Sequence, residues 1–147
     1  MNWPETEPIA TFTHHLRSRY SETDRMGYVY YARYLEYFEV ARTEMIRNMG
    51  ISYRKLEEQG YMLPVVDAQL KYHAPVNYDD LISITVFIFK MPGVKMETYY
   101  KVSAENFTKT AVTGKVTLCF IQSSTRKPCR APQYFTQQFL IEHQTHN

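Results

Sequence analysis

Hydrophobic residues change their spacing once along this chain, and that change leaves few folds open. Tyr34, Phe38, Ala41, Met45 and Met49 recur every three or four positions, which predicts a helix over about 33–49 with one buried face. Leu35, Tyr37, Val40 and Ile46 widen its apolar arc, and Glu36, Glu39, Arg42, Glu44 and Arg47 occupy what remains, with Asn48 and Gly50 as a stop. From Leu63 onward the period is two. Val66, Ala68, Leu70 and Tyr72 form one run and Ile82, Ile84, Val86 and Ile88 a second; Met96 to Ala104 and Val112 to Phe120 alternate in the same way. Turn residues at Asn77–Asp80, Met91–Gly93 and Asn106–Thr108 separate these four strands, and such short links predict antiparallel neighbours in a meander. An earlier strand is expected over 12–20, with His14 breaking its alternation, and a short helix over Ser52–Gln59, capped by Ser52 and ended by Gly60. Five strands with one face to bury and one long apolar helix give an α+β fold, a curved five-stranded antiparallel sheet wrapped around the helix.

A chain of 147 residues suits a single domain, read here as a core over 12–132 and a C-terminal tail over 133–147. In that tail Phe135, Phe139 and Leu140 fit either a short amphipathic helix or a frayed end. The 17 basic and 15 acidic side chains leave a formal charge of +2 with no concentrated basic run, so a nucleic-acid partner is not expected. The longest apolar stretch, Ile84 to Phe89, is far too short to span a bilayer, and the first ten residues do not read as a secretory signal. Cys119 and Cys129 make no disulfide framework and are expected reduced, which points to the cytoplasm. His14, His15, His73, His143 and His146 lack the spacing of metal ligands, so no metal site is expected.

The usual signatures of nucleophile elbows, phosphate loops, dinucleotide folds and zinc proteases are missing. What remains is Asp24-Arg25-Met26-Gly27, just ahead of a core helix with no Ser, Thr or Asp at its start. An uncapped helix leaves its first N–H groups unpaired, so this arrangement sets a carboxylate beside free donors at the positive end of a dipole. Those parts suit acyl transfer: the carboxylate attacks a carbonyl or activates water, and the amides hold the developing oxyanion. The alternative is that Asp24 only bonds its own turn. Tyr20 and Glu22 flank it and are candidates to orient it, though an exposed loop acid is the commoner outcome. Tyr30, Tyr34 and Tyr37 are candidates to line an acyl or aryl pocket or simply to fill the core; His73 reads as surface or interface, and Cys119 as a small sheet residue.

The run from Tyr20 to Tyr34, with Glu39-Val-Ala-Arg-Thr-Glu-Met45 and Tyr72-His-Ala-Pro-Val-Asn-Tyr-Asp-Asp80, resembles the 4-hydroxybenzoyl-CoA thioesterase family of hotdog-fold proteins. Its nearest-looking branch is the Tol-Pal-associated bacterial acyl-CoA thioesterases. The resemblance covers about residues 12–132 and implies an acyl-CoA thioesterase that needs no cofactor beyond the coenzyme A of its substrate. It implies Asp24 as nucleophile or general base, Gly27 as the residue that turns the chain close to the substrate, and the Tyr31 N–H as oxyanion donor. Tyr30 and Tyr34 are then expected at the acyl group. For the coenzyme A phosphates the candidates are Lys90 and Lys95 beside the Pro92-Gly93 hairpin, or Arg126, Lys127 and Arg130 after the last strand. A homodimer or homotetramer is implied as well, because an open sheet leaves bare edges. Two other readings stand beside this one: a thioesterase on acyl carrier protein, and a non-catalytic hotdog subunit that binds an acyl ligand.

Overall fold

The computed structural model describes residues 1–105 and 109–146, with side chains through Ile141. The expected turn Asn106–Thr108 and the side chains of His143 and His146 lie outside the described residues. In chain order the elements are β1 (Ala10–Arg17), a single 3-10 turn (Tyr20–Glu22), α1 (Arg33–Asn48), α2 (Tyr53–Glu58), β2 (Tyr61–Met62), β3 (Val65–Tyr72), β4 (Leu81–Ile88), β5 (Lys95–Ala104), β6 (Val112–Cys119), β7 (Ile121–Gln122) and α3 (Gln133–His146). Five strands form one antiparallel sheet in the order β1-β4-β5-β6-β3, and β2 pairs with β7 apart from it. This is the expected α+β hotdog arrangement, a sheet packed on a central helix.

Strand alternation sends Ile82, Ile84, Val86 and Ile88 inward, with Met96, Tyr100, Val102, Val112, Val116 and Leu118 beside them, all buried. They meet Tyr34, Tyr37, Phe38, Ala41, Met45 and Ile46 of α1 in one core. Phe38 stacks on Tyr100 at 4.2 Å and lies over Gly114, where a Cβ would come within 2.6 Å of Phe38 Cζ. Only a residue without a side chain lets the ring sit so close to β6. At its C-terminus α1 closes with Gly50 at φ +85°, its N–H donating to Arg47 C=O and the Ile51 N–H to Ile46 C=O, which satisfies carbonyls the helix leaves open. Ser52 caps α2 as expected, its hydroxyl accepting from the Lys55 N–H at 3.1 Å.

The expected meander holds for β4-β5-β6 but not for β3. That strand lies at the far edge beside β6, and β1 takes the place next to β4. The link of residues 73–80 has eight residues, roughly 26 Å when extended, enough to cross the width of three strands instead of making a hairpin. It crosses with Val76 fully buried beneath it. His14 does not break the alternation of β1 but joins Ala10, Phe12 and Leu16 on the side that is shielded at every second position. The expected tail is a helix that reaches into the core. Phe135 and Phe139 are fully buried, and Phe135 meets Phe120 edge-on at 5.2 Å.

On the other face of the sheet, the N-terminal segment folds back so that Trp3 packs on Phe87, Phe89 and Tyr99, with ring centroids 5.2–6.0 Å apart. The Lys101 ammonium stands 5.1 Å from the indole centroid. Among the described residues, no helix is long and apolar enough to cross a membrane.

Candidate active site

Between β1 and α1 the chain makes an excursion tied down at its base. Ser18 N–H donates to Asp80 C=O at 3.1 Å, and the Val29 N–H reaches Val76 C=O at 2.8 Å, so the excursion is fastened to the 73–80 link. Thr23 and Val29 bridge, and the Asp24 N–H donates to Tyr28 C=O at 2.9 Å. At the tip, Asp24 Oδ1 accepts from the Met26 N–H at 2.8 Å and the Gly27 N–H donates to Asp24 C=O at 3.1 Å. Gly27 takes φ +80°, a conformation that side chains penalise. Asp24 therefore does bond its own turn, but with one oxygen. Oδ2 has no hydrogen-bond partner among the described residues, and the carboxylate lines an open pocket of about 350 Å³.

Opposite Asp24 stands the start of α1. Ala32 occupies the cap position with helical φ and ψ and no side-chain cap, and the Tyr31 N–H has no partner among the described residues. The Tyr31 ring is exposed, and its C=O accepts from the Tyr72 hydroxyl at 2.9 Å, which pins the helix start to the end of β3. Met26, Tyr28, Val29, Tyr34, Tyr72, His73, Ala74 and Pro75 complete the wall. Tyr34 is buried at the base; burial pushes its phenol up to about 12 against an opposing contact from the Val76 backbone, so it stands as a neutral hydroxyl. Of the expected site residues, Asp24, Tyr31 and Tyr34 line this pocket, and Gly27 shapes its turn. Tyr30 does not line it. Its ring leans on Tyr31 at 4.6 Å, and a hydrogen bond and the charge of Tyr31 raise its pKa.

Lys90 and Lys95 stand apart from this site. Lys95 faces Cys119 at the last pair of the β5–β6 ladder, while Lys71 and Tyr72 face Thr113 and Val112 at the opposite end. At about 3.4 Å per residue the separation is roughly 20 Å, and within one chain neither lysine lines the Asp24 pocket. Arg126, Lys127 and Arg130 follow β6 at that same far end. Of two further groups near Asp24, His73 is exposed at the surface as expected, and Glu22 differs from expectation. His73 is on the pocket wall, with Nε2 3.0 Å from Thr113 Oγ1. Glu22 is not an exposed loop acid but is buried, its Oε1 accepting from the Arg19 N–H at 2.7 Å and the Tyr37 hydroxyl at 3.0 Å. The Tyr72–Asp80 run already quoted contained His73; nothing in the spacing distinguished Glu22.

A second cavity, about 470 Å³, lies beside the middle of α1, lined by Glu39, Arg42, Tyr53, Leu63 and Phe120 among others. Arg42, expected on the polar side, is 7% exposed. It stands one turn from both Phe38 and Ile46, so the helix carries it inward. Its Nε donates to the Tyr53 hydroxyl at 2.9 Å and its Nη1 to the Tyr100 hydroxyl at 3.3 Å. Burial works against the cation, but the Tyr100 and Tyr53 oxygens outweigh it and hold its pKa above the ordinary value. Among the described residues, no group of three or more His, Cys, Asp or Glu converges as a metal site.

Residues 18–139 match the family described as the thioesterase-like superfamily. Acyl-CoA thioester hydrolase YbgC of Escherichia coli O6:H1 is 36% identical over 92 residues, which are 62% of this chain and 69% of that protein. YneP of Bacillus subtilis is 40% identical over 77 residues, 52% of this chain and 56% of YneP, so the match spans little more than half of that relative. Among solved structures, the DHNA-CoA thioesterase of Staphylococcus aureus superposes with a TM-score of 0.81 at 30% identity, covering 92% of this chain and 89% of that one.

Proposed function

This chain belongs to the thioesterase-like superfamily, and on that premise we propose that it hydrolyses acyl-CoA to a free acid and coenzyme A at the Asp24 pocket. One observation carries the reading. A carboxylate with an uncommitted oxygen and an uncapped helix start with an unpartnered N–H line the same open pocket. In the reaction the thioester oxygen accepts from the Tyr31 N–H, and Asp24 either attacks the carbonyl carbon or takes a proton from the water that does. The C–S bond breaks and the thiolate leaves as coenzyme A and is protonated. Where Asp24 is the nucleophile, water then cleaves the acyl–Asp24 anhydride to release the acid and restore the carboxylate; where Asp24 is the base, the attacking water becomes the acid's new oxygen. Dipole and amides favour the oxyanion over the neutral thioester, so they act on the transition state more than on binding. No cofactor enters these steps.

The motifs favour the 4-hydroxybenzoyl-CoA type of hotdog near the Tol-Pal-associated branch, and the resemblance to a DHNA-CoA thioesterase adds aromatic acyl groups to the candidate substrates. The tyrosines around the pocket suit either an aryl or a short aliphatic chain. We assign the activity to the whole chain as one domain working as a homo-oligomer. β3 is an edge strand with Val65, Val66 and Tyr72 exposed, and a second copy pairing there would cover them. Its two unpaired cysteines fit a reducing cytoplasm.

The test is thiol release from acetyl-, hexanoyl-, palmitoyl-, hydroxybenzoyl- and phenylacetyl-CoA by the wild type beside Asp24→Asn. Turnover that disappears in the variant supports the reading and ranks the substrates. Turnover that survives in Asp24→Asn removes Asp24 from the mechanism, and silence across the panel moves the assignment to acyl carrier protein thioesters or to ligand binding without hydrolysis.

A further inference from the structure

From the bonds around Glu22 we infer that this buried carboxylate is the positioning residue that holds Asp24 in register with the start of α1. The inference rests on the reading of Asp24 and the Tyr31 N–H as the reacting pair. Those two groups belong to different pieces of chain, and the excursion that carries Asp24 is closed by its own turn and the Thr23–Val29 bridge and fastened to the 73–80 link, bonds that do not reach α1. Something must fix the tip against the helix, and Glu22 does so from three sides. Its Oε1 accepts from the Arg19 N–H where the chain leaves β1 and from the Tyr37 hydroxyl on α1. Its backbone C=O accepts from the Tyr30 N–H at 2.8 Å, one residue before Tyr31. Both ends of the excursion are thus tied at one residue, and that residue is tied to the helix whose N-terminus meets the substrate.

The chemistry of the clasp is that of a fixed acceptor. Glu22 is 7% exposed and takes two hydrogen bonds on one oxygen, while Arg19 Nη2 stands 3.7 Å from the other with its own side chain largely in water. Burial, and then the Glu22 charge, raise the Tyr37 phenol above its ordinary pKa, so it remains a donor. Tyr37 in turn meets Tyr34 edge-on at 5.8 Å, which extends the clasp to the pocket floor. The Asp24 turn itself is tied to the 73–80 link through Tyr28 and Gly27, and among these bonds none joins it to α1. Misplacement of a reacting group by about 1 Å costs up to roughly 100-fold in rate, and a positioning role therefore appears in kcat.

The experiment measures kcat and KM of the full-length wild type, Glu22→Ala, Glu22→Gln, Tyr37→Phe and Asp24→Asn on the panel's best acyl-CoA, with thermal unfolding of each. Glu22→Ala is expected to lower kcat by about 30-fold with KM within threefold. Glu22→Gln, whose amide oxygen still accepts from both donors, is expected to restore most of that loss, and Tyr37→Phe to lower kcat severalfold. Amide exchange at Asp24 and Tyr30 is expected to accelerate in Glu22→Ala, a readout independent of turnover. The inference is overturned if Glu22→Ala keeps kcat within twofold, if only KM changes, or if Glu22→Gln is as impaired as Glu22→Ala. Should Glu22→Ala fail to fold, Tyr37→Phe and Glu22→Gln decide between the same outcomes. An active Asp24→Asn refutes the proposed function instead, whatever Glu22 does.

Discussion

At its N-terminus α1 overlooks the Asp24 pocket, and at its middle it lines the Arg42 cavity. In the first, a half-exposed carboxylate spends one oxygen on its own turn and keeps the other uncommitted. In the second, a guanidinium is more than nine-tenths buried, with Nε and Nη1 engaged by two phenols. The larger cavity belongs to the more heavily committed residue. A group whose hydrogen-bonding capacity is used up by packing holds structure together, whereas a group held rigidly through its backbone with capacity to spare can act on a substrate. Volume alone would have favoured the Arg42 cavity over the proposed site at Asp24.

The strongest way to break this contrast is Asp24→Asn, which keeps the shape and the turn's acceptor but removes the charge. Turnover is expected to fall by about 1,000-fold, about 4 kcal/mol of barrier, with the melting temperature nearly unchanged. Gly114→Ala acts on the ring between the two ends. Its methyl collides with Phe38, already stacked on Tyr100, and denaturant unfolding is expected to report a loss of about 3 kcal/mol. Arg42→Met should show the reverse profile from Asp24→Asn. It removes two hydrogen bonds but also a buried charge, so the expected cost is about 1–2 kcal/mol of stability with turnover within twofold. Tyr72→Phe sharpens the picture at the Asp24 pocket. Losing the bond to Tyr31 C=O is expected to lower turnover about threefold, roughly 0.7 kcal/mol, and to leave unfolding as it was.

Alkaline titration separates the two ends in another way. Tyr34 has a folded pKa near 12, above the ordinary value of 10. The unfolded chain therefore loses that proton first, and the stabilisation, complete below pH 10, is lost as pH rises toward 12. Stability measured across that window is expected to decline less steeply in Tyr34→Phe. An identical slope in the variant would place the titration elsewhere, as in the buried phenols beside Arg42.

Much of this was legible in the sequence because it is local. The apolar spacing of 34–49 and the period-two runs reflect faces that one helix or strand must bury, and the Ser52 cap needs no distant partner. The Asp24–Gly27 turn also showed itself, since its bonds span three residues. What the sequence left hidden depends on distant neighbours. Nothing between 66 and 88 says that β3 pairs with residues 112–118, because strands at either edge of a sheet alternate alike. Glu22 reads as a loop acid until Tyr37, fifteen positions away, is known to donate to it. Arg42 sits at an inward position whose polarity disguises it, and Lys90 and Lys95 drew notice by charge, although the ladder sets Lys95 at the end away from the Asp24 pocket.

The chain has one tryptophan, and its placement changes what an optical experiment on this protein reports. Trp3 belongs to the segment ahead of β1 and rests on the outside of the sheet among Phe87, Phe89 and Tyr99, remote in sequence from the helix and its pockets. Indole emission will therefore follow the release of the N-terminal segment, with the Lys101 ammonium as a nearby influence on it. Core melting belongs instead to the tyrosine signal and to circular dichroism. Where the two transitions separate, the tryptophan trace describes a strap coming off a sheet that is still folded.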